Sequence, residues 1–351
     1  MSIRLLRVSR VERLTDDSVA VTLDVPDDQR EEFAHTPGQH LVVLHDGIRR
    51  TYSIASVAGK ATLRIGVKEV PDGAVSTWIN RQLKVGDQIP VMAPTGTFTL
   101  HPDAENRNRY AAIVAGSGIT PVMSLAASIL EAEPGSSFVL IYGNRATSTV
   151  MFLEDLEDLK NQHPDRFEVH HVLSREQQAS DVLTGRLDRG KIDELLERFA
   201  PSFEGVRSWF LCGPFGVVES AREALAAHGV PATSIHHEVF FVDDAPALPV
   251  RAVTSESTRN PEVTATLSGR RLTVQVASEQ ETVLDAVLRA RPDAPYACRG
   301  GVCGTCRALL VSGSAEMVRS YALEEPEREA GYVLTCQAYP TSEKVAVDFD
   351  R

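Results

Sequence analysis

The chain has 351 residues, 43% hydrophobic and 24% charged; this composition excludes disordered, collagen-like and fibrous classes. At roughly 150 residues per domain it predicts two to three separate cores. Lys and Arg number 36 against 48 Asp and Glu, and the net charge of −12 argues against a general nucleic-acid binder, which needs a basic face. No run nears the roughly 18 apolar residues of a membrane span, and residues 1–10 lack the apolar stretch of a signal peptide. Four of the five cysteines fall in the last 54 residues, too few and too clustered for a secreted disulfide framework. We therefore expect a cytoplasmic protein, partnered by neither membrane nor nucleic acid, that uses clustered cysteines for metal or redox chemistry.

Along the chain, residues 1–103 alternate apolar and polar positions in short runs, such as Val19-Ala20-Val21-Thr22-Leu23 and Leu41-Val42-Val43-Leu44, broken by Pro37-Gly38, Asp46-Gly47 and Pro94-Thr95-Gly96. This texture predicts a small antiparallel barrel or sandwich. Residues 104–242 change to buried-type strands, at 111–115, 138–142, 167–173 and 208–211, each followed by a helical stretch. Alternating strand and helix predicts a parallel α/β sheet. Residues 243–260 carry proline without periodicity and are read as an interdomain linker. The last unit, 261–351, opens with a hairpin around Ser268-Gly269, followed by a helix over 282–289.

Cys298, Cys303, Cys306 and Cys336 form C-x4-C-x2-C-x29-C. This matches the plant-type [2Fe-2S] spacing, three ligands in one loop and a distant fourth. Arg299-Gly300-Gly301-Val302 must turn tightly enough for main-chain N–H groups to face the sulfurs, which the paired glycines permit. Cys303-Gly304-Thr305-Cys306 alone could be a redox dithiol, and four cysteines could hold zinc, but neither reading uses Cys298 in this spacing. With their flanks, Tyr296-Ala297 and Leu334-Thr335-Cys336-Gln337-Ala338, these residues resemble the plant-type ferredoxins, which implies a β-grasp fold.

Arg50-Thr51-Tyr52-Ser53, read at the start of a strand, is followed about 20 residues later by Gly73-Ala74-Val75-Ser76. Each alone fits an ordinary strand or turn. Together, in a small barrel ahead of an α/β unit, they resemble the flavin domain of the ferredoxin-NADP reductase superfamily. The resemblance implies that Arg50 neutralises the flavin pyrophosphate, Tyr52 packs on the isoalloxazine and Ser53 lies near its reactive N5. It also implies that Gly73, Val75 and Ser76 offer groups to a second phosphate site, favouring FAD over FMN. Val67 and Lys68 join the cofactor-binding set by the same resemblance. Trp78 suits flavin cover and core packing equally.

Gly116-Ser117-Gly118-Ile119-Thr120-Pro121 follows a buried strand and opens a helix, so its amides and the positive helix end can receive a pyrophosphate. Its form resembles the nicotinamide-nucleotide loop of the same superfamily, as Phe210-Leu211-Cys212-Gly213-Pro214 resembles the C-G-P motif that sets a thiol against the nicotinamide. A buried core cysteine is the other reading of Cys212. Glu238 matches the acidic residue that orients the hydride-transfer site with Ser53. Ser174 and Arg175 resemble the pair that holds a 2′-phosphate, and Asn144 and Arg145 are likewise not acidic, so NADPH is favoured with NADH possible. The Lys and Tyr of plant-type reductases have no counterpart, since Gly185-Arg186-Leu187 stands there. The ten histidines form no metal-ligand spacing.

The order of flavin barrel, nucleotide domain and ferredoxin domain resembles the reductase components of multicomponent oxygenases. Pro37-Gly38-Gln39-His40, Ile141-Tyr142-Gly143-Asn144-Arg145 and Val347-Asp348-Phe349-Asp350 narrow the resemblance to the branch serving bacterial ring-epoxidising oxygenases. The resemblance implies electron transfer through FAD and a [2Fe-2S] cluster to an oxygenase partner. A reductase of a Rieske-type aromatic or steroid hydroxylase, and a redox sensor, remain open.

Overall fold

The computed structural model describes residues 3–241, 261–278, 280–323 and 325–351, so the expected linker at 243–260 lies outside the described residues. Contacts divide the described residues into two compact units, 3–241 and 261–351 without 279 and 324.

The first unit begins with strands β1 (Ile3–Thr15), β2 (Ser18–Asp24), β3 (His40–His45), β4 (Ile48–Ser53) and β5 (Thr62–Lys68), helix α1 (Ala74–Arg81) and strand β6 (Gln88–Thr95). The strands pair antiparallel in the order β4-β3-β6-β1-β2-β5. A bridge between Ile54 and Ile65, with Ala55 N–H donating to Arg64 O at 2.6 Å, joins the two edges and closes the barrel. Alternate residues, among them Leu6, Val8, Val21, Leu41, Val43, Ile65 and Val91, fill its interior. Helix α1 adds Val75 and Ile79, four residues apart and so on one face. The Arg50-Thr51-Tyr52-Ser53 motif ends its strand rather than starting it. The tight hairpin at Asp46-Gly47 pairs His45 with Ile48, so β4 starts two residues before Arg50.

The same unit continues with β7 (Arg109–Ala115), α2 (Ile119–Ala132), β8 (Ser137–Asn144), α3 (Leu153–Gln162) and β9 (Phe167–Leu173). It ends with α4 (Arg189–Arg198), α5 (Ala200–Phe203), β10 (Val206–Pro214), α6 (Phe215–Ala227) and β11 (Ile235–Phe241). The five strands run parallel in the order β11-β10-β7-β8-β9. Their centres are apolar on both faces, as in β7 and β8, because helices cover both sides. The chain winds outward from β7 to β9 and then returns to the other side of β7, so the strand order reverses between β7 and β10. Ligands bind at the carboxyl ends of strands at such a switch point. Barrel and sheet share a core: Ala20, Ala55 and Phe98 pack with Val114, Met123, Phe152 and Phe210. Arg64 of β5 reinforces the junction, pairing with Asp155 of α3 and lying over the Phe152 ring.

The second unit holds β12 (Glu262–Leu267), β13 (Arg270–Gln275), α7 (Val283–Ala290), β14 (Arg307–Ser312), β15 (Ala315–Met317), α8 (Glu325–Glu329), β16 (Tyr332–Leu334), β17 (Ala338–Pro340) and β18 (Lys344–Asp348). Its mixed sheet has the order β13-β12-β18-β14-β16, with β12 and β18 parallel. Thr282 caps α7 by accepting the Asp285 N–H, and the helix buries Val283, Leu284, Ala286 and Val287 in the core. A helix packed across such a mixed sheet is the β-grasp arrangement. Both carboxylate oxygens of Asp350 accept main-chain N–H groups, from Ser268 and Gly269, at 2.7 Å, tying the tail to the first hairpin. Among the described residues no helix is long and apolar enough to cross a membrane.

Candidate functional site

On β4, Arg50 and Tyr52 share one face and Ser53 takes the other, as strand alternation requires. Arg50 is exposed; Tyr52 is half-buried against the barrel core, and burial pushes its phenol up against the pull of Arg50. Ser53 is buried, opposite His40 in the β3 register. Val67 lies wholly inside the barrel, its carbonyl accepting from Asn80, and Lys68 pairs with Asp17 at 3.3 Å. Gly73 caps α1, and a Cβ there would stand 2.5 Å from Ser76 Oγ. That hydroxyl is committed to the turn: it accepts from Val70 N–H and donates to Gly73 O, both at 3.1 Å. What α1 can offer an anion is its first-turn amides, those of Ala74, Val75 and Ser76, which have no intrahelical acceptor. Trp78 packs against the barrel core and stacks on His45 at 4.0 Å.

The nucleotide loop leaves β7 as a single tight turn, Gly116–Gly118, that leads into α2 and places Pro121 in the first turn of the helix. Thr120 Oγ1 donates to Ser117 O at 2.8 Å, and Tyr142 donates to Gly116 O at 2.9 Å, so the turn is held from both sides. Gly118 is demanded by contact: a Cβ there would lie 2.2 Å from Cys212 O. The glycine loop and the Cys212-Gly213-Pro214 end of β10 are thereby pressed together at the switch point. Above Gly116 the space is open, with no atom within 4 Å of where a Cβ would stand. A free helix end beneath open space fits a pyrophosphate. Asn144 and Arg145, and Ser174 and Arg175, follow at the carboxyl ends of β8 and β9.

At this point barrel and sheet bring a polar group together. Cys212 pairs in register with Glu238 of β11; its thiol is wholly buried, and burial followed by the Glu238 charge pushes it well above the ordinary thiol range. Glu238 Oε1 lies 3.7 Å from Nδ1 of His40, which is itself the cross-strand partner of Ser53. Its other oxygen, Oε2, is buried with no hydrogen-bond partner among the described residues. A buried carboxylate oxygen with no partner fits a site completed by a ligand. His40 thus stands between Ser53 and Glu238, and Cys212 lies beside Glu238.

The four sequence-predicted metal ligands also come together. Cys303, Cys306 and Cys336 are buried and Cys298 is half-buried. They stand as two contacting pairs, Cys298 with Cys303 and Cys306 with Cys336. Cys298 is held well below the usual thiol value, first by the Cys303 thiol and then, against burial, by the amides of Val302, Gly300 and Cys303. Gly300 N–H reaches its sulfur at 3.3 Å. Gly301 turns the loop with φ +77°, and its N–H faces Cys336. Two pairs of soft sulfur ligands ringed by amides suit a two-iron cluster, one pair to each iron; a single tetrahedral ion needs all four sulfurs to converge. Among the described residues no three ligand side chains converge in that way.

Three residues carry no sequence signal of their part here. His40 figured only within a run of similar residues, because nothing local marks a histidine that meets a carboxylate 198 positions away. Thr147 and Glu176, which join the loops after β8 and β9, carry no motif.

The chain matches three families in succession: an oxidoreductase FAD-binding domain over residues 5–100, an oxidoreductase NAD-binding domain over 112–223 and a 2Fe-2S iron-sulfur cluster binding domain over 265–341. It is 39% identical over 349 residues to a subunit of the 1,2-phenylacetyl-CoA epoxidase of Escherichia coli (strain K12), covering 98% of this chain and 97% of that protein. It is 32% identical over 358 residues to the ferredoxin reductase component of 3-ketosteroid-9-alpha-monooxygenase of Rhodococcus rhodochrous, covering 98% and 96%. In structure it resembles an intact type IV self-sufficient cytochrome P450 monooxygenase, with TM-score 0.70 and 26% identity, over 98% of this chain and 41% of that longer one. Phthalate dioxygenase reductase has the same fold, with TM-score 0.59 and 23% identity, over 99% and 98% of the two chains.

Proposed function

Because the chain belongs to the flavin and iron–sulfur reductase components of multicomponent oxygenases, we propose that it draws electrons from NADPH and delivers them to the oxygenase of a phenylacetyl-CoA epoxidase. Its cofactors are FAD, a nicotinamide nucleotide and a [2Fe-2S] cluster. When bound, these groups supply hydride transfer to the flavin and one-at-a-time release of its two electrons through the cluster to the oxygenase.

The chain's own residues position those groups. Arg50 and the first-turn amides of α1 would hold the flavin pyrophosphate, with Tyr52 against the ring and the Ser53 hydroxyl at its reactive edge. The Gly116–Gly118 turn would seat the nucleotide pyrophosphate, leaving Cys212 and Glu238 beside the nicotinamide. Two guanidiniums, Arg145 and Arg175, with the Ser174 hydroxyl at the carboxyl ends of β8 and β9, favour a 2′-phosphate and hence NADPH over NADH. Cys298, Cys303, Cys306 and Cys336 would hold the two irons. The observation that carries the partner assignment is the end-to-end likeness to the epoxidase protein. The likeness to the ketosteroid monooxygenase component supports a second reading, a steroid hydroxylase as acceptor. Either acceptor would meet it in the cytoplasm.

The test mixes the purified holoprotein with phenylacetyl-CoA oxygenase subunits and follows NADPH loss and product with and without phenylacetyl-CoA. Substrate-dependent, product-coupled turnover is expected. NADPH oxidation with artificial one-electron acceptors but no coupled product would overturn the partner and leave the reductase chemistry standing.

A further inference from the structure

The loops after β8 and β9 are zipped together. Ser174 N–H donates to Asn144 O at 2.9 Å and Arg175 N–H to Arg145 O at 2.7 Å. One step further on, main chain gives way to side chain: the Glu176 carboxylate accepts from Thr147 N–H at 2.7 Å and from Thr147 Oγ1 at 2.8 Å. The carboxylate adjoining Arg175 in sequence is therefore bound at both oxygens and accepts the first N–H of the short turn Thr147–Thr149. Arg145, Ser174 and Arg175 are exposed on the same rim, and neither guanidinium has an ion-pair partner among the described residues.

We propose that the Thr147–Glu176 clasp is a specificity determinant for the nucleotide's 2′-phosphate, acting by keeping a negative charge off the rim that Arg145 and Arg175 present. This rests on the reading of that rim as the 2′-phosphate site. The effect is electrostatic. A free Glu176 would pair with an adjacent arginine, cancelling its charge, and would repel a phosphate dianion while offering an acceptor to a ribose 2′-hydroxyl, the feature of an NAD-type site. Bound twice by Thr147, it does neither. The carboxylate keeps its charge, but both of its oxygens are taken up at Thr147 rather than offered to an arginine or to the ligand.

The experiment compares Thr147→Val, Glu176→Gln and the double variant with the parent holoprotein. It reads kcat/KM for NADPH and NADH, together with calorimetric binding of NADP+ and NAD+. Thr147→Val, which frees one carboxylate oxygen, is expected to lower the NADPH/NADH ratio about fivefold through KM for NADPH, with NADP+ affinity falling in parallel. Glu176→Gln holds or raises the ratio, the double variant restores it because the freed group is uncharged, and Thr147→Ser preserves it. Equal losses for both nucleotides in Thr147→Val, or a double variant no better than the single, would overturn the clasp. Arg175→Ala separates the two levels: if it costs NADPH and NADH equally, the rim is not the 2′-phosphate site, whereas a selective loss there beside an unselective Thr147→Val sinks the clasp alone. Should Thr147→Val not fold, Thr147→Ala removes the same hydroxyl.

Discussion

Nδ1 of His40, on the flavin-side barrel, stands 3.7 Å from Oε1 of Glu238, on the last strand of the nucleotide sheet, with the two side chains only 2% and 13% exposed. Two polar groups this well removed from water are costly unless they serve each other or a ligand. His40 also sits across from Ser53, and Glu238 across from Cys212, so the contact joins the flavin and nicotinamide halves of the site. The gap is slightly longer than a hydrogen bond, as is common before a ligand closes a site.

His40 is therefore expected to position Glu238, so that its loss acts on rate rather than binding. Replacing His40 by Leu is expected to slow flavin reduction by NADPH about tenfold, with nucleotide affinity changed less than about twofold. His40→Asn, whose amide nitrogen occupies the place of Nδ1, should recover most of that rate. In a Glu238→Gln background the His40 change should cost little more, which a double-mutant cycle in stopped flow measures. Additive losses would show that His40 merely supports the fold.

The reach of sequence reading follows from this contact. The four cluster cysteines were legible because three of them share one loop and their spacing is itself the chemistry. The strands of both sheets were legible from apolar runs, and the helix expected over 282–289 is α7, Val283–Ala290. The Arg50-Thr51-Tyr52-Ser53 motif was placed at the wrong end of its strand, since strand composition alone does not reveal register. The union of barrel and sheet was invisible: Phe98 meets Phe210 edge-on at 5.6 Å across 112 positions, and no periodicity encodes that. Nor does a motif say that the Ser76 hydroxyl would be spent on its own turn.

Cys212 is wholly buried and its thiol is pushed up by burial and by Glu238, so it stays protonated at neutral pH. Iodoacetamide at pH 8 should leave Cys212 unlabelled in the native protein and label it after unfolding, read by peptide mass spectrometry. Cys212→Ala should keep FAD and iron content while slowing hydride transfer by about tenfold. An unchanged flavin reduction rate would reduce Cys212 to a core residue.

His35, His170 and His171 all titrate below the usual 6.5, chiefly because burial disfavours the charged ring. Each therefore binds a proton more weakly folded than unfolded, so between its folded value and 6.5 the unfolded chain holds more protons and stability rises with pH. The first unit is expected to lose stability progressively as pH falls below 6.5, in urea titrations at saturating FAD. His171→Asn should flatten that decline. A profile unchanged by the substitution would remove His171 from its cause.

The cluster loop offers a contrast between neighbours. Gly301 has φ +77°, and a Cβ there would lie 3.1 Å from both Arg319 O and Gln337 Cγ. Gly300 is not left-handed, and its nearest neighbour would be Cys298 O at 3.9 Å. Alanine at 301 must thus carry strain of about 1–3 kcal/mol while pushing on the main chain of Arg319 and on the Gln337 side chain, whose amide donates to Arg299 O at 2.8 Å. The amide of Gly301 that faces Cys336 would turn away with it. Gly301→Ala is expected to lose most of its iron, its visible iron–sulfur absorbance and its reduced-state electron paramagnetic resonance signal. Gly300→Ala should retain them, because it demands no change of backbone. Flavin reduction should survive in both variants, since FAD belongs to the other compact unit. Equal cluster content in the two variants would mean that the loop's left-handed turn does not govern assembly.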